Sequence, residues 1–365
     1  MPVTFAQKLE RMPHYDAGLR HDAARARYGV DDVAKLASNE TPWGPHPAVV
    51  EAIAAAAAAG LNRYPEQFSP TLRRRIAERH DTDPARIVIG NGSCELLLAA
   101  CEALCEPGAE IVFGWPSFSI YPHLAALSGA REIRVPLADG DFHDLDAMAT
   151  EVTAATQLVL VCNPNNPTGT HLPAAEVAAF CDRLPSHVAI LLDEAYVEFQ
   201  LHDDPDATVD LLADFPNLVL LRTFSKAHGL AGLRCGYALG SAKFRAAVDA
   251  VRQPFPVNAL AQAAAAEAIR HSDDVTRRVE RTIVERAVVE TGIEELGLAA
   301  PESHANFSWI DLGDADEAEV VRGLGEGGVI VRPGAGLGGP GHIRVSYGTR
   351  AENERFLAAL ADVLR

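Results

Sequence analysis

This 365-residue chain has no extended basic cluster: fifty acidic residues against thirty-two basic ones leave a formal charge of −18. Nucleic acid and anionic membrane surfaces are therefore poor partners for it. It also lacks a CxxC pair and any Cys/His spacing that could close on zinc. The six cysteines, Cys94, Cys101, Cys105, Cys162, Cys181 and Cys235, fall mostly within apolar runs and read as reduced core thiols. No run is long enough for a bilayer, since the greasiest, VVEAIAAAAAAG (49–60), is short, alanine-rich and broken by Glu51. The first twenty residues lack the apolar core of a secretory signal, so the expected location is the cytoplasm. Repeats of solenoid period and low-complexity linkers are missing too.

What is present is the composition of a globular enzyme, 48% hydrophobic and 22% charged. The length predicts two domains, with roughly 75% of the unfolded surface buried. Between residues 86 and 240 one pattern recurs: a short apolar run, a polar turn, then helical spacing. The runs are RIVIG (86–90), EIVFG (110–114), EIRVPL (132–137), QLVLVC (157–162), VAILLD (188–193), NLVLLRT (217–223) and CGYALG (235–240). Such near-continuous apolar strands predict an α/β fold with a mainly parallel seven-stranded sheet flanked by helices, and ligand groups at the strands' carboxyl ends.

Residues 258–290 read as a long helical stretch jointed near HSDD (271–274). A smaller α+β domain follows, with strands near 305–312, 327–333 and 342–348. The first forty residues, with Pro2, Pro13 and Gly18, read as an arm without a strand of its own, packed on the small domain or on a partner subunit. The expected divisions are 1–40 for the arm and part of the small domain, 41–257 for the large domain, and 258–365 for the interdomain helix and small domain.

Several strand ends carry chemically distinctive residues. RTFSK (222–226) places Lys226 after a strand beside Thr223 and Ser225, with Arg234 eight residues on. A lone lysine is ordinarily a solvated charge, but hydroxyls and an arginine can hold a phosphate, and a lysine beside it can form a Schiff base. Asp193 ends a wholly apolar strand, where a carboxylate needs a positive partner such as a protonated pyridine nitrogen; the alternative is a helix N-cap. Tyr196 could reach the same ring. In VCNPNNPTG (161–169), Asn166 could donate to a phenolic oxygen, or the string is simply a turn. The turn GNGS opens a helix at Ser93, an anion site by its free N–H groups and dipole. Phe118 offers a flat surface, or is core.

Taken together, NRYPE (62–66), GNGSCE (90–95), NPNNPTG (163–169), DEAYVEF (193–199), RTFSKAHGLAGLRCGY (222–237) and RPG with IRVSYGTR (332–350) resemble histidinol-phosphate aminotransferases, which are fold-type I enzymes dependent on pyridoxal 5'-phosphate. The resemblance runs from about Tyr15 to Arg350. It implies that Lys226 is the Schiff-base lysine, that Asp193 pairs with the pyridinium nitrogen, and that Asn166 and Tyr196 contact the phenolic oxygen. By the same resemblance Ser93, Cys94, Thr223, Ser225 and Arg234 form the phosphate cup and Phe118 stacks on the ring. Tyr64 would reach the phosphate from the other subunit of a homodimer. Arg344 would receive the substrate's anionic end, helped by Arg332 and Tyr15.

The implied reaction is transamination between L-histidinol phosphate and 2-oxoglutarate in histidine biosynthesis, in two half-reactions through Lys226. Aromatic amino acid aminotransferases share the same cofactor residues, and some phospho-amino-acid decarboxylases resemble the family. A regulator built on such a domain would need a DNA-binding module, for which a resemblance beginning by Tyr15 leaves no room. Two departures stand out. His228 occupies a position where the family more often has an aromatic, and reads as packing or as tuning of the lysine. Thr41 and Trp43 in SNETPWGP (38–45) differ from many relatives and bear on substrate choice.

Overall fold

The computed structural model describes residues 3–13, 18–19 and 21–365. A seven-stranded sheet has the spatial order Ile87–Gly90, Gly236–Leu239, Leu218–Thr223, Ala189–Asp193, Thr156–Cys162, Glu110–Trp115, Arg131–Pro136. Six of the seven strands run in one direction; Gly236–Leu239 alone runs against its neighbours.

Period-two alternation explains why both faces are covered. Val112, Val159, Val161, Ile190, Leu192, Leu218 and Leu220 enter the apolar cluster on one face. Their chain neighbours Ile111, Phe113, Leu158, Leu160, Leu191, Val219 and Leu221 enter the cluster on the other. Neither set can reach water, so the polar turn residues collect at the strand ends.

Residues 259–295 form two helices, Ala259–Ala268 and Ser272–Glu295, joined by a tight turn over Ile269–His271, close to the expected joint. The first is capped by Asn258, whose side chain accepts from the Ala261 N–H at 2.8 Å. A smaller antiparallel sheet orders Arg332–Pro333, His342–Ser346 and Phe307–Asp311. Its separate core includes Ile310, Ile343, Val345, Val320, Leu324, Phe356 and Leu360. Helix Arg350–Val363 closes on it, opened by a capping box between Thr349 and Glu352.

Two local expectations need correction. The first forty residues do contain a strand, Ala34–Lys35, which pairs parallel to Val329–Ile330 and sends Ala34 and Leu36 into the smaller core. The 327–333 run is also not one strand: Val329–Ile330 pairs with Ala34–Lys35, while Arg332–Pro333 pairs with His342–Ser346. Further upstream, the short turn Gln7–Arg11 lies against the helix Tyr121–Ser128, with Lys8 Nζ donating to Leu127 O at 3.1 Å. Among the described residues no helix is long and apolar enough to cross a membrane.

Candidate active site

One cavity of about 320 Å³ lies between the carboxyl edge of the large sheet and the small sheet. Its wall brings together Ser93, Cys94, Phe118, Asn166, Asp193, Tyr196, Thr223, Ser225, Lys226, Arg234, Arg332 and Arg344. Strand direction explains the convergence. The parallel strands deliver the residues that follow them, while the reversed strand Gly236–Leu239 delivers Arg234, which precedes it.

Thr223, Ser225 and Arg234 form a cradle beside the start of the helix Ser93–Leu104. Thr223 Oγ1 donates to Ser225 Oγ at 3.0 Å, and an Arg234 guanidinium nitrogen donates to the same oxygen at 3.2 Å. Gly92 (φ 77°, ψ 165°) caps that helix in a backbone region open essentially to glycine, and a Cβ there would collide with the Arg234 guanidinium. Gly236 is as tight, for its Cβ would lie 2.7 Å from Ser93 N. Backbone N–H groups, two hydroxyls and an arginine thus face one point, the donor set of an anion site.

Asp193 is 1% exposed, and burial pushes its carboxyl up to about 7. Tyr121 Oη donates to Oδ2 at 3.3 Å, but Oδ1 is buried without a hydrogen-bond partner. The carboxylate therefore calls for a positive group in the cavity. Lys226 Nζ donates to Asn39 O at 3.1 Å and Ser38 O at 3.3 Å. Burial, with Arg344 nearby, lowers it to about 8, so about a tenth is neutral and nucleophilic at pH 7, far more than for a free lysine. Burial also pushes the Tyr196 hydroxyl up, keeping it protonated, and Cys94 is shifted the same way.

The three asparagines of NPNNPTG divide their work. Asn163 closes the loop through Leu172, donating to its carbonyl and accepting from its N–H, both at 2.8 Å. Asn165 accepts from Ser117 Oγ at 2.8 Å and donates to Thr168 Oγ1 at 3.0 Å. Asn166 alone lines the cavity, where its Oδ1 accepts from Arg344 at 2.5 Å. Arg344 also donates to Ala37 O at 2.9 Å, and its guanidinium lies 5.3 Å from the Phe307 ring centre. Arg332 and Arg344 are directly opposed across the antiparallel pair, and both are buried against the cavity.

Not every residue singled out in the sequence lines this cavity. Tyr64 is 82% exposed, outside its own chain's cavity and stacked on Phe255. His228 turns away into a neighbouring cavity with Glu198 and Arg222, packs edge-on against Phe224, and is held neutral by burial at about 4. Tyr15 lies outside the described residues. Thr41 borders an adjoining cavity rather than this one.

Sequence reasoning missed Asn39 and Tyr121. Asn39 Nδ2 donates to Tyr196 Oη at 2.9 Å while its own N–H donates to Ser346 Oγ at 2.8 Å. Locally the sequence shows only an asparagine between two polar neighbours, and its φ of 53° emerges in the structure alone. Tyr121 opens the helix Tyr121–Ser128, three residues after Phe118, and is fully buried.

A buried lysine, a buried acid with an unpartnered oxygen and an anion cradle, set along one edge of a parallel sheet, form a site suited to a phosphate-bearing group that carries a positive charge and can react with an amine. Residues 31–360 match the family described as aminotransferase class I and II. The chain is 41% identical over 98% of its length to the histidinol-phosphate aminotransferase of Geobacillus thermodenitrificans, covering 98% of that protein. It is 45% identical over 98% of its length to the aromatic amino acid aminotransferase of Thermobifida fusca, covering 96% of it. Among solved structures, the histidinol-phosphate aminotransferase of Sinorhizobium meliloti in complex with pyridoxal-5'-phosphate superposes with a TM-score of 0.88 at 30% identity, covering 99% of this chain and 97% of that one. The chain belongs to the class I and II aminotransferases.

Proposed function

We propose that this enzyme transfers the amino group of L-histidinol phosphate to 2-oxoglutarate, with pyridoxal 5'-phosphate as cofactor. The observation that carries the substrate is the opposed pair Arg332 and Arg344 on the cavity wall. Two guanidinium forks at one place match a phosphate dianion, and either can also take a carboxylate of the acceptor.

The cradle of Ser93, Thr223, Ser225 and Arg234 would hold the cofactor's phosphate, and Asp193 its ring nitrogen, which meets the need of the orphaned Oδ1. When bound, the cofactor supplies an electron sink for the carbon that loses a proton. Asp193 would keep the ring nitrogen protonated. Asn166 and Tyr196 would bind the ring's phenolic oxygen, with Asn39 orienting the Tyr196 hydroxyl. Phe118, on the cavity wall, would stack on the ring. Lys226 Nζ would bind the cofactor and, once released by the amino donor, carry the proton between donor carbon and cofactor; its lowered affinity for a proton suits that exchange.

Residues 41–257 would form the large cofactor-binding domain and 258–365 the interdomain helix and small domain, to which the arm of 1–40 contributes. A homodimer belongs to the same proposal: Tyr64, so exposed in its own chain, would complete a partner's phosphate cradle.

A second reading, an aromatic amino acid aminotransferase, draws support from the Thermobifida fusca relative. Steady-state kcat/KM on histidinol phosphate and on phenylalanine, with 2-oxoglutarate as acceptor, separates the two. Histidinol phosphate should be the better donor, and Arg332→Ala should lower its kcat/KM more than that of phenylalanine. Preference for phenylalanine, or an equal loss on both donors, would establish the second reading instead.

A further inference from the structure

Away from the active-site cavity, three histidines from distant parts of the chain meet. His202 and His304 have ring centres 4.2 Å apart, and His171 lies 5.6 and 5.5 Å from them. Glu302 Oε1 is 3.7 Å from His304 Nε2. One nitrogen each from His202 and His304 and one oxygen of Glu302 all lie within 4.8 Å of one another. Tetrahedral ligand atoms 2.0–2.1 Å from zinc stand about 3.4 Å apart, so side-chain rotations of about an ångström would close the set.

We propose that His202, His304 and Glu302, with His171 as a fourth donor, bind one divalent transition-metal ion of the zinc class. Imidazole nitrogens with a single carboxylate favour Zn²⁺, Co²⁺, Ni²⁺ or Cu²⁺ over Mg²⁺ or Ca²⁺, which prefer all-oxygen sets. His171 is 4% exposed, and its Nδ1 is buried without a hydrogen-bond partner. His202 and Glu302 are exposed and give the ion an entry path.

The frame around the donors is fixed before any ion arrives. Gln200 Oε1 accepts from the N–H groups of His202 and Asp203, at 2.7 and 2.9 Å, and Asp203 Oδ2 accepts from Ala174 N at 2.7 Å. His304 N donates to Gly169 O at 2.7 Å. The Leu201 N–H approaches His304 Nδ1 at 3.4 Å, a long contact that an ion on Nε2 would displace by moving the ring proton to Nδ1. An ion there would tie the end of the Asn166 loop to the segment leading to Asn306, whose side chain donates to Asn39 O at 3.1 Å.

The test is titration of untagged, cofactor-loaded enzyme with Co²⁺, followed by its visible ligand-field bands, and with Zn²⁺, followed by calorimetry and by Tm. The expected result is one ion per chain, a Tm raised by saturating Zn²⁺, and affinity lowered about 100-fold in His202→Ala and clearly in Glu302→Gln. Both substituted side chains are exposed, so these variants keep the fold even where His304→Ala does not. The absence of saturable binding, unchanged affinity in His202→Ala, or a cobalt–thiolate charge-transfer band would overturn the proposal.

Discussion

Asp193→Asn separates the cost of the site from its purpose. Burial raises the Asp193 carboxyl from 3.8 to about 7 in the folded chain. At about 1.36 kcal/mol per pK unit, keeping it ionised costs the cofactor-free fold about 4 kcal/mol above pH 7. The sign follows from proton binding: the folded state holds a proton that the unfolded state has already lost between about pH 4 and 7, so stability falls as pH rises through that window. An asparagine of the same shape carries no such cost. Unfolding entropy of about 2.1 cal/mol/K per residue over 365 residues converts 4 kcal/mol into a Tm rise of about 5 °C. Calorimetry of the cofactor-free proteins at pH 8 should therefore find the variant more stable, with the difference gone by pH 4. The cofactor-loaded variant should gain less Tm from its cofactor and lose several orders of magnitude in turnover. A variant no more stable than the parent at pH 8 would refute the idea that this carboxylate waits, unsatisfied, for a cation.

Three further outcomes follow from the same geometry. Gly92→Ala places a methyl group against the Arg234 guanidinium in a glycine-only backbone region, a strain of about 1–3 kcal/mol, and should weaken cofactor binding about tenfold or more in a spectrophotometric titration; an unchanged Kd would detach the cradle from the phosphate. Arg344→Ala should cost both half-reactions on the order of 2–5 kcal/mol, roughly 30- to 5,000-fold in kcat/KM, measured separately by stopped flow; an effect on one half-reaction alone would mean that the two substrates use different anchors. Mixing inactive Lys226→Ala chains with inactive Tyr64→Phe chains should restore activity in the mixed dimers, and failure despite demonstrated subunit exchange would return Tyr64 to a role within its own chain.

The large sheet and the cavity were legible because the apolar runs are short and followed at once by polar turns, and all but the largely exposed edge strand Arg131–Pro136 are buried on both faces. Asp193, Asn166 and Lys226 are recognisable for being polar where the strand's logic has just ended. What was not legible depends on contacts that cross the chain. Asn39 owes its position to Ser346, 307 residues away, and no local pattern carries that. The strand Ala34–Lys35 is two residues long and exists only because Val329–Ile330 lies beside it. The break at Val331 is equally invisible, since a run of apolar residues does not say that its two halves join different sheets. The reversal of Gly236–Leu239 brings Arg234 to the site, although apolarity alone does not give direction. His171, His202 and His304 gather because three connecting segments converge, and spacing of 31 and 102 residues gives no hint of it.

The central claim, that catalysis runs through one buried lysine, can be tested by borohydride reduction of the cofactor-loaded enzyme followed by peptide mapping. The chain has four lysines, Lys8, Lys35, Lys226 and Lys243, so the readout is unambiguous. All the cofactor label should be found on the peptide containing Lys226, and Lys226→Ala should retain none and lose all turnover. Label on any other lysine, or label retained by Lys226→Ala, would contradict the account.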